Sequence, residues 1–292
     1  MLTVWAVVVT HNPDSPTLAT LLDSLAGQVR SIVVVDNGST DSVAGLCSGS
    51  STCVELGANL GIAAAQNRGV REAMRNGADA VVFFDQDSVV PPGLIEKLVA
   101  CLTEEGGNIA APVFRDSRQG FDYPIVHIAP SGRRRRYLPS QLERPVEVST
   151  VISSGTLVRC GLFEEVGFFD EALFIDYVDT EWCLRCARAG HLVRVDPRAR
   201  MEHAIGEHSY RIGPFRVPVH SPRRRYYRVR NAFLLARMVH VPALMWMTEI
   251  ASAAVHQLVL IIRDGRRGDY FRYYFLAVLH GMRGRTGPLE AL

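Results

Sequence analysis

Short apolar runs alternate with helical patterns through the first 115 residues of the chain. The runs are VWAVVVTHN from Val4, SIVVVDNGSTD from Ser31, TCVEL from Thr52, AVVFFDQD from Ala80 and NIAAPVF from Asn108. Continuous apolar runs of this length, separated by helices, are typical of strands buried in a parallel sheet. The order predicts an α/β fold with a mostly parallel central sheet.

The segments between these runs have the spacing of amphipathic helices. SPTLATLLDSLAGQ places four leucines on one helical face: Leu18, Leu21, Leu22 and Leu25. We expect Ser15 to cap this helix and Pro16 to take its first position. NLGIAAAQNRGVREAMRNG reads as a second helix closed by Gly77, and PPGLIEKLVACLTEEGG as a third.

Polar clusters end three of the predicted strands: Thr10-His11-Asn12, Asp36-Asn37-Gly38-Ser39 and Asp85-Gln86-Asp87. Each cluster alone has the composition of a turn. In an open parallel sheet, however, ligands bind at the carboxyl ends of the strands, so the three together predict one site. Two carboxylates that flank a single residue can bind a divalent cation and the phosphates that it carries.

Two chemistries fit an apolar strand that ends in two aspartates. In a haloacid-dehalogenase-like phosphohydrolase, Asp85 is the nucleophile and Asp87 its acid/base; in a nucleotide-sugar transferase, the pair holds a metal that bridges the diphosphate. The hydrolase expects its motif on the first strand and a lysine further on, whereas three strands precede this motif and the single lysine, Lys97, follows it closely. The transferase expects an acid at a preceding strand end, where Asp36 lies.

An ordered set of motifs resembles glycosyltransferase family 2, and within it the bacterial rhamnosyltransferases of O-antigen and lipopolysaccharide synthesis. The motifs are VVVTHN, VVVDNGSTD, NLGIAAAQNRGV, FFDQDS, ISSGTLV and GFFDEALFIDYVDTEWCLRCARAG, which lie between residues 4 and 205. RRRYYRVRN from Arg223 and GMRGRTG near the end are also similar to that subgroup.

The resemblance implies a GT-A fold, a Mg²⁺ or Mn²⁺ cofactor and inversion at the anomeric carbon. The implied donor is dTDP-L-rhamnose, and the implied acceptor is a hydroxyl of a lipid-linked or core oligosaccharide. A catalytically inactive GT-A partner protein in glycan assembly is the alternative of a different class.

The resemblance also implies roles for donor-side residues. Those beside the nucleotide are Thr10, Asn12, Asp36, Asn59, Gly61, Asn67 and Asp85. Asp36 resembles the acid that accepts a hydrogen bond from the pyrimidine ring, and Asp85 the one that contacts ribose or metal-bound water. Asp87 is the implied metal ligand. His203 is either a second metal or diphosphate ligand or an ordinary surface histidine.

An inverting transfer needs a carboxylate that takes the proton of the acceptor hydroxyl. Three candidates lie in FIDYVDTEWCLR: Asp176, Asp179 and Glu181. Many relatives have Glu-Asp where this chain has Val178-Asp179, so we predict Asp179 as the base, with helix capping as its alternative. Glu181 is predicted to orient the acceptor or to support the helix start, and Ser154 and Gly155 to line the acceptor side.

Composition bounds the class of protein. The chain has 292 residues, of which 48% are hydrophobic and 21% charged, an ordinary globular composition that excludes a disordered or fibrous protein. Six scattered cysteines and no recognisable signal peptide predict reduced thiols and a cytoplasmic location. We interpret Cys183 and Cys186 as packing residues, because a lone CxxC is weak evidence for zinc.

The charge distribution divides the chain. The net charge is only +2, but residues 211–292 hold fourteen arginines against four carboxylates: Glu249, Asp264, Asp269 and Glu290. We therefore predict a GT-A catalytic domain over residues 1–215 and a basic amphipathic helical extension over 216–292. The basic extension is expected to meet a membrane rather than nucleic acid, since no nucleic-acid recognition motif surrounds the arginines.

The apolar segment VPALMWMTEIASAAVHQLVLIIR is long enough to raise the question of a membrane span. Glu249, His256 and Arg263 recur in it at intervals of seven and form a polar stripe, which a span rarely tolerates. We expect peripheral helices on the inner leaflet of the cytoplasmic membrane, with residues 223–227 meeting lipid phosphates. The alternative is packing on the catalytic domain or on a second subunit. The run at 133–136 is expected in a solvated loop.

Overall fold

A computed structural model describes residues 2–116, 120–202, 208–212, 215–263 and 265–289, with the backbone alone at 208–212 and 215–218. The strands in this part of the chain are β1 (Val4–Thr10), β2 (Ser31–Asp36), β3 (Ser51–Glu55), β4 (Ala80–Asp85), β5 (Ile109–Arg115), β6 (Ile125–Ile128), β7 (Arg134–Tyr137), β8 (Val146–Val148), β9 (Leu157–Arg159), β10 (Val193–Glu202), β11 (His208–Ile212) and β12 (Phe215–Val219). The helices are α1 (Ser15–Ala26), α2 (Ile62–Arg75), α3 (Leu94–Glu104), α4 (Cys160–Val166), α5 (Val178–Arg188), α6 (Pro222–Leu235), α7 (Ala243–Arg263) and α8 (Arg267–Arg283).

The central sheet has eight strands in the order β3-β2-β1-β4-β9-β5-β10-β8. β3, β2, β1 and β4 are parallel to one another, and β10 is parallel to β5. β9 lies antiparallel between β4 and β5, and β8 is an antiparallel edge strand. The predicted α/β fold with a mostly parallel sheet is therefore confirmed.

Helices cover both faces of the sheet, so its central strands are buried on both sides. Along β1, Val7 and Val9 pack in one layer with side chains of α2, whereas Ala6 and Val8 pack in the other with the leucines of α1. Burying a valine or leucine stabilises a fold by about 1.5–3 kcal/mol relative to exposing it. Cys183 and Cys186 belong to the same core as buried free thiols.

The N-cap of α1 lies one residue earlier in the sequence than we predicted. Asp14 is the N-cap, with extended backbone, and its carboxylate accepts from the Thr17 backbone N–H at 3.0 Å. The prediction of Ser15 as the cap was wrong, because Ser15 already has helical geometry. Gly77 follows the end of α2 with φ +82°, which agrees with its predicted closing role.

The arginine run at 133–136 was expected in a solvated loop, but most of it forms a strand. Arg134 begins strand β7, which pairs antiparallel with β6. The Arg134 guanidinium forms an ion pair with Glu249 of α7. The other arginines of the run, Arg133, Arg135 and Arg136, are exposed to solvent.

The three helices of the extension pack on one another and on the rest of the chain. Arg225, Tyr226 and Tyr227 are buried in α6, so the expectation that they meet lipid phosphates was wrong. Arg225 donates to the carbonyl oxygen of Ala253 at 3.2 Å, and the Tyr226 hydroxyl lies 2.7 Å from His280 Nδ1. These groups are satisfied inside the bundle. The predicted boundary at 215/216 falls within β12 and stays a prediction.

Candidate active site

The carboxyl ends of three neighbouring strands are hydrogen-bonded to one another. The Thr10 hydroxyl of β1 donates to Asp36 Oδ1 of β2 at 3.0 Å. In the following loops, the backbone N–H of Asn12 donates to Ser39 Oγ at 2.8 Å. On the other side, the backbone of the β1 loop reaches Gln86, between the two aspartates after β4. The predicted convergence of these clusters is present in the structure.

Asp36 is held in one orientation. It is buried, and besides Thr10 it accepts hydrogen bonds from the Ser39 backbone N–H at 3.0 Å and from the Ser39 hydroxyl. The turn needs Gly38, whose φ is +80° and whose position leaves no room for a side chain: a Cβ would lie 2.6 Å from the Asn59 nitrogen. The base-binding acid inferred from the family is thus fixed before a ligand arrives.

The segment before α2 is held against the same edge. Asn59 Oδ1 accepts from the Asn37 amide at 3.2 Å and from the Gly61 backbone N–H at 3.1 Å. Gly61 has φ +93°, and a Cβ there would lie 2.6 Å from the Phe174 carbonyl oxygen. Gly61 therefore allows the close approach of the chain near residue 174.

Asn67 lies beneath the site rather than facing it. It is 1% exposed, and its amide donates to the Phe169 carbonyl oxygen at 2.9 Å and to Glu171 Oε1 at 2.8 Å. Its carbonyl oxygen accepts from the Phe169 backbone N–H at 3.0 Å. The structure gives Asn67 a supporting role for this segment, which differs from the predicted direct contact with the nucleotide.

Asp179 lies in the first turn of α5. The N-cap is Tyr177, whose side chain makes no capping hydrogen bond, so Asp179 does not hold the capping position of its alternative interpretation. Its Oδ1 accepts from the Thr180 backbone N–H at 2.8 Å, and its Oδ2 accepts from the Ser153 backbone N–H at 3.3 Å. The carboxylate therefore connects the helix start to the loop before β9.

Burial raises the pKa of Asp179 to about 6. The N–H groups of Thr180 and Ser153 oppose this increase, whereas the negative charges of Asp85 and Asp176 add to it. A carboxylate with a pKa near 6 is ionised at neutral pH and still basic enough to accept a proton from an attacking hydroxyl. Asp85 is therefore near enough to Asp179 for its charge to affect the pKa of the base candidate.

The aspartate pair suits a hard cation that also binds the ligand. Asp85 is partly buried and Asp87 is exposed at the edge of the sheet. No group of three or more His, Cys, Asp or Glu residues placed to hold an ion occurs among the described residues, and His203 lies outside them. Two carboxylates fit Mg²⁺ or Mn²⁺ that takes its other oxygen ligands from a diphosphate and water.

Ser154 and Gly155 lie against the inner side of β4. Ser154 is buried, and its Oγ is 3.0 Å from Ser88 Oγ. The Gly155 N–H donates to the Phe83 carbonyl oxygen at 2.6 Å. The Ser153 backbone N–H of this loop donates to the base candidate Asp179, and the acceptor-side roles of Ser154 and Gly155 stay predictions.

Glu181 points away from the strand ends. It is buried, pairs with Arg185 at 2.9 Å and lies 2.8 Å from His240 Nε2, beside a cleft of about 330 Å³. Burial alone would raise its pKa, but the hydrogen bonds from His240 and Arg185 outweigh that effect and lower the pKa. These contacts give Glu181 a structural role, and its predicted part in orienting the acceptor stays a prediction.

The loop that leads to Asp179 has an unusual backbone. Three of its residues, Phe174, Asp176 and Tyr177, have φ of +65°, +64° and +64°. Each such conformation costs a residue with a side chain about 1–2 kcal/mol. Surrounding contacts must therefore hold this loop in place.

Helix α6 provides those contacts. The two N–H groups of the Asn231 amide are shared among three carbonyl oxygens, those of Leu173 at 2.9 Å, Ile175 at 2.8 Å and Asp176 at 3.0 Å. The Arg230 guanidinium donates to the Leu173 carbonyl oxygen at 3.0 Å. Sequence reasoning missed both residues, although the segment RRRYYRVRN that contains them was part of the resemblance.

Comparison with known proteins assigns the family. The sequence profile described as glycosyl transferase family 2 matches residues 5–167. The chain belongs to glycosyltransferase family 2. A relative in Shigella flexneri, named dTDP-rhamnosyl transferase RfbF, is 43% identical over 288 residues, which are 97% of this chain and 97% of the relative.

Solved structures agree with the family 2 fold. TarS of S. aureus in complex with UDP-GlcNAc matches with a TM-score of 0.59 and 16% identity, over 97% of this chain and 82% of that one. GalNAc-T7 with UDP, GalNAc and Mn²⁺ matches with a TM-score of 0.58 and 16% identity, over 87% of this chain and 57% of that one. At these identities the likeness concerns the fold alone, and it confirms the predicted GT-A architecture.

The family 2 site of this chain also includes cations of the extension. Arg224 Nη2 of α6 lies 3.6 Å from Asp176 Oδ1. The Asp176 side chain is 8% exposed, and its Oδ2 has no hydrogen-bond partner within the described part of the chain. Arg228 lies over the Tyr177 ring at 5.0 Å. The extension thus places positive charge beside the carboxylates of the site.

Proposed function

We propose that this family 2 enzyme transfers L-rhamnose from dTDP-L-rhamnose, with inversion, to a hydroxyl of a lipid-linked or core oligosaccharide of lipopolysaccharide or O-antigen. The observation that carries the proposal is the partly buried carboxylate of Asp179, which the Ser153 and Thr180 N–H groups hold in place in a chain whose strand ends at Thr10, Asp36 and Gln86 converge. The full-length similarity to a dTDP-rhamnosyl transferase supports the choice of donor.

On the donor side, the fixed Asp36 accepts a hydrogen bond from the thymine ring. Asp85 and Asp87 would hold Mg²⁺ or Mn²⁺, which would neutralise charge on the departing diphosphate. Arg224 lies close enough to Asp176 to add positive charge on the same side of the site. The loops after β1, β2 and β4 are already hydrogen-bonded to one another, so they need little rearrangement when the donor binds.

On the acceptor side, Asp179 takes the proton of the attacking hydroxyl. The hydroxyl oxygen forms a bond to the anomeric carbon from the face opposite the diphosphate, whose bond to that carbon breaks with its electron pair. One displacement of this kind inverts the configuration and needs no covalent enzyme intermediate. The Ser153 and Thr180 N–H groups keep the Asp179 oxygens in place for this step.

The test combines donor binding with transfer. Thermal unfolding is measured with dTDP-rhamnose, UDP-glucose, GDP-mannose or inorganic phosphate, each with and without Mn²⁺. We expect metal-dependent stabilisation by dTDP-rhamnose, and incorporation of labelled rhamnose into a lipid-linked oligosaccharide fraction that EDTA abolishes.

The outcomes separate the alternatives. Stabilisation by dTDP-rhamnose without transfer to any acceptor fraction would favour an inactive GT-A partner protein. Release of phosphate from a phosphoester without a nucleotide sugar would favour the phosphohydrolase. Preference for another nucleotide sugar would contradict the proposed donor while leaving the family assignment intact.

A further inference from the structure

Helix α7 buries polar side chains and exposes apolar ones. Glu249 and Gln257 are on its buried face, together with Met245, Ala253 and Leu260. The large apolar side chains on its outer face are exposed: Leu244, Met247, Val255, Leu258 and Ile262, with exposed fractions of 42%, 54%, 62%, 60% and 58%. A helix of a soluble domain normally keeps most of its large apolar side chains on the buried face and its charged ones outside.

Specific contacts hold α7 in this orientation. Glu249 accepts from the Tyr177 hydroxyl, pairs with Arg134 and lies 3.6 Å from Arg228. Two turns later, Gln257 donates to the Tyr270 carbonyl oxygen at 2.6 Å. Rotating α7 to bury its aliphatic side would break these buried polar contacts, and each buried group left without a partner costs about 1–3 kcal/mol.

Helix α8 shows the same arrangement. Its buried residues include Tyr270, Ala277 and His280. Its exposed apolar side chains follow one face: Phe271, Phe275, Leu279 and Met282, with exposed fractions of 59%, 66%, 37% and 65%. Both α7 and α8 pack on α6 and on each other. Their outer faces point away from α6 and together form one apolar surface, here called the outer face of the extension.

Arginines surround this outer face. Exposed arginines lie in the turn between the helices and along α8: Arg263, Arg266, Arg267, Arg272 and Arg283. The exposed carboxylate among the described residues of α7, α8 and their connection is Asp269. The apolar surface therefore has a positively charged border, which complements a negatively charged partner.

We propose that the outer face of the extension binds the surface of an anionic phospholipid bilayer. The aliphatic and phenylalanine side chains enter the acyl boundary, while the border arginines contact the headgroup phosphates. Helix α7 is long and apolar enough to span a membrane by length and composition. In the proposed arrangement α7 lies on the bilayer surface instead, because contacts of Glu249 and Gln257 attach its other face to the rest of the protein.

The arginine border favours a bilayer over a second copy of the chain. In a two-fold symmetric dimer the same patch meets itself, so the two sets of arginines would face each other across the apolar contact. Like charges in such positions repel, whereas lipid phosphates would neutralise them. The inference is independent of the sugar that the enzyme transfers.

Vesicle flotation tests the proposal with the full-length chain. We expect it to float with vesicles of phosphatidylglycerol and phosphatidylethanolamine, and to remain behind with phosphatidylcholine alone. The double variant Phe271→Ser, Phe275→Ser should bind the anionic vesicles at least about tenfold more weakly, since each lost phenylalanine removes apolar burial. Arg266→Gln with Arg267→Gln should weaken binding and reduce its dependence on salt.

The matched control is Leu138→Ser, an exposed apolar residue (48% exposed) beyond β7 that is not on the outer face. It should bind vesicles as the unaltered chain does. Equal thermal midpoints show that the variants are folded. Unchanged flotation of the phenylalanine variant would overturn the proposal. A second outcome would also overturn it: the chain fails to bind vesicles, sediments as a dimer, and becomes a monomer in the variant Leu258→Gln.

Discussion

The side-chain amide of Asn231 in α6 donates a hydrogen bond to the backbone carbonyl oxygen of Asp176, 3.0 Å away, and so connects the C-terminal extension to the loop that leads to Asp179. Because this loop has three residues at positive φ, it depends on such contacts. Asn231→Ala removes both N–H donors, which three carbonyl oxygens of the loop share. We expect the free energy of unfolding to fall by about 1–3 kcal/mol and kcat to fall about tenfold or more.

Chemical denaturation and steady-state kinetics with dTDP-rhamnose check this expectation. Asn76→Ala is the control, because Asn76 is an exposed asparagine whose described side-chain bonds reach only Glu72 of its own helix. It should leave kcat unchanged. If Asn231→Ala lowered stability alone, the contact would be structural and would not position the base.

Asp179→Asn keeps the shape of the side chain and removes the basic carboxylate. We expect a loss of about 10²–10⁴-fold in kcat, the usual contribution of a general base. Donor binding should persist, measured as stabilisation by dTDP-rhamnose. The control is Asp23→Asn, an exposed aspartate of α1. Near-normal turnover by Asp179→Asn would move the base elsewhere, with Asp176 as the next candidate.

The raised pKa of Asp179 gives the reaction and the fold opposite pH dependences. Since the carboxylate is the active form, kcat/KM should increase about tenfold per pH unit up to the pKa of about 6 and then level off. The folded chain binds this proton more tightly than the unfolded chain, so ionisation costs stability between the ordinary value of 3.8 and about 6. The thermal midpoint of Asp179→Asn, minus that of the unaltered chain, should therefore increase as pH rises from about 4 to about 7. A constant difference across this range would contradict the raised pKa.

Gly38 shapes the turn that orients Asp36, and Gly77 offers a matched comparison. Both have positive φ, +80° and +82°, but a Cβ at Gly38 would meet the backbone of residues 58–59, whereas a Cβ at Gly77 would meet open space. Gly77→Ala should cost about 1–2 kcal/mol from backbone strain alone. Gly38→Ala should cost more than that and weaken nucleotide binding, measured by calorimetry. Equal losses of stability would show that the turn can relax around the added methyl.

Local patterns were enough to predict the strands and the meeting of their ends. The valine runs of β1 and β2 are buried from end to end, and the parallel register places Thr10 beside Asp36. Given the sheet, the position of a strand-end residue follows from where its apolar run stops. Asp179 lies in a helix, so it could not be predicted in this way; it was predicted from the resemblance of FIDYVDTEWCLR to family 2 and from the need for a carboxylate base.

Contacts between distant parts of the chain could not be predicted in this way. Arg134 and Glu249 are separated by 115 positions, and their ion pair connects β7 to α7. The periodic polar stripe of α7 was visible, but periodicity does not tell which face a neighbouring element covers. Likewise, the sequence of residues 223–227 has the composition of a basic surface segment, but Arg225 and Tyr226 are buried against partners in α7 and α8.

Because the carboxylate of Asp87 is exposed, substituting Asp87 tests metal binding with little effect on the fold. Asp87→Asn removes one negative oxygen ligand at an exposed position, so the free energy of unfolding of the ligand-free chain should change by less than about 0.5 kcal/mol. With dTDP-rhamnose, we expect the stabilisation by Mn²⁺ to disappear and kcat/KM at fixed metal to fall by at least about tenfold, with partial recovery at higher Mn²⁺ concentration.

Glu96→Gln, an exposed carboxylate at the start of α3, is the control and should respond to Mn²⁺ as the unaltered chain does. Full activity of the unaltered chain in EDTA, together with full activity of Asp87→Asn, would show that cations of the protein, with Arg224 nearest to Asp176, neutralise the diphosphate without a metal.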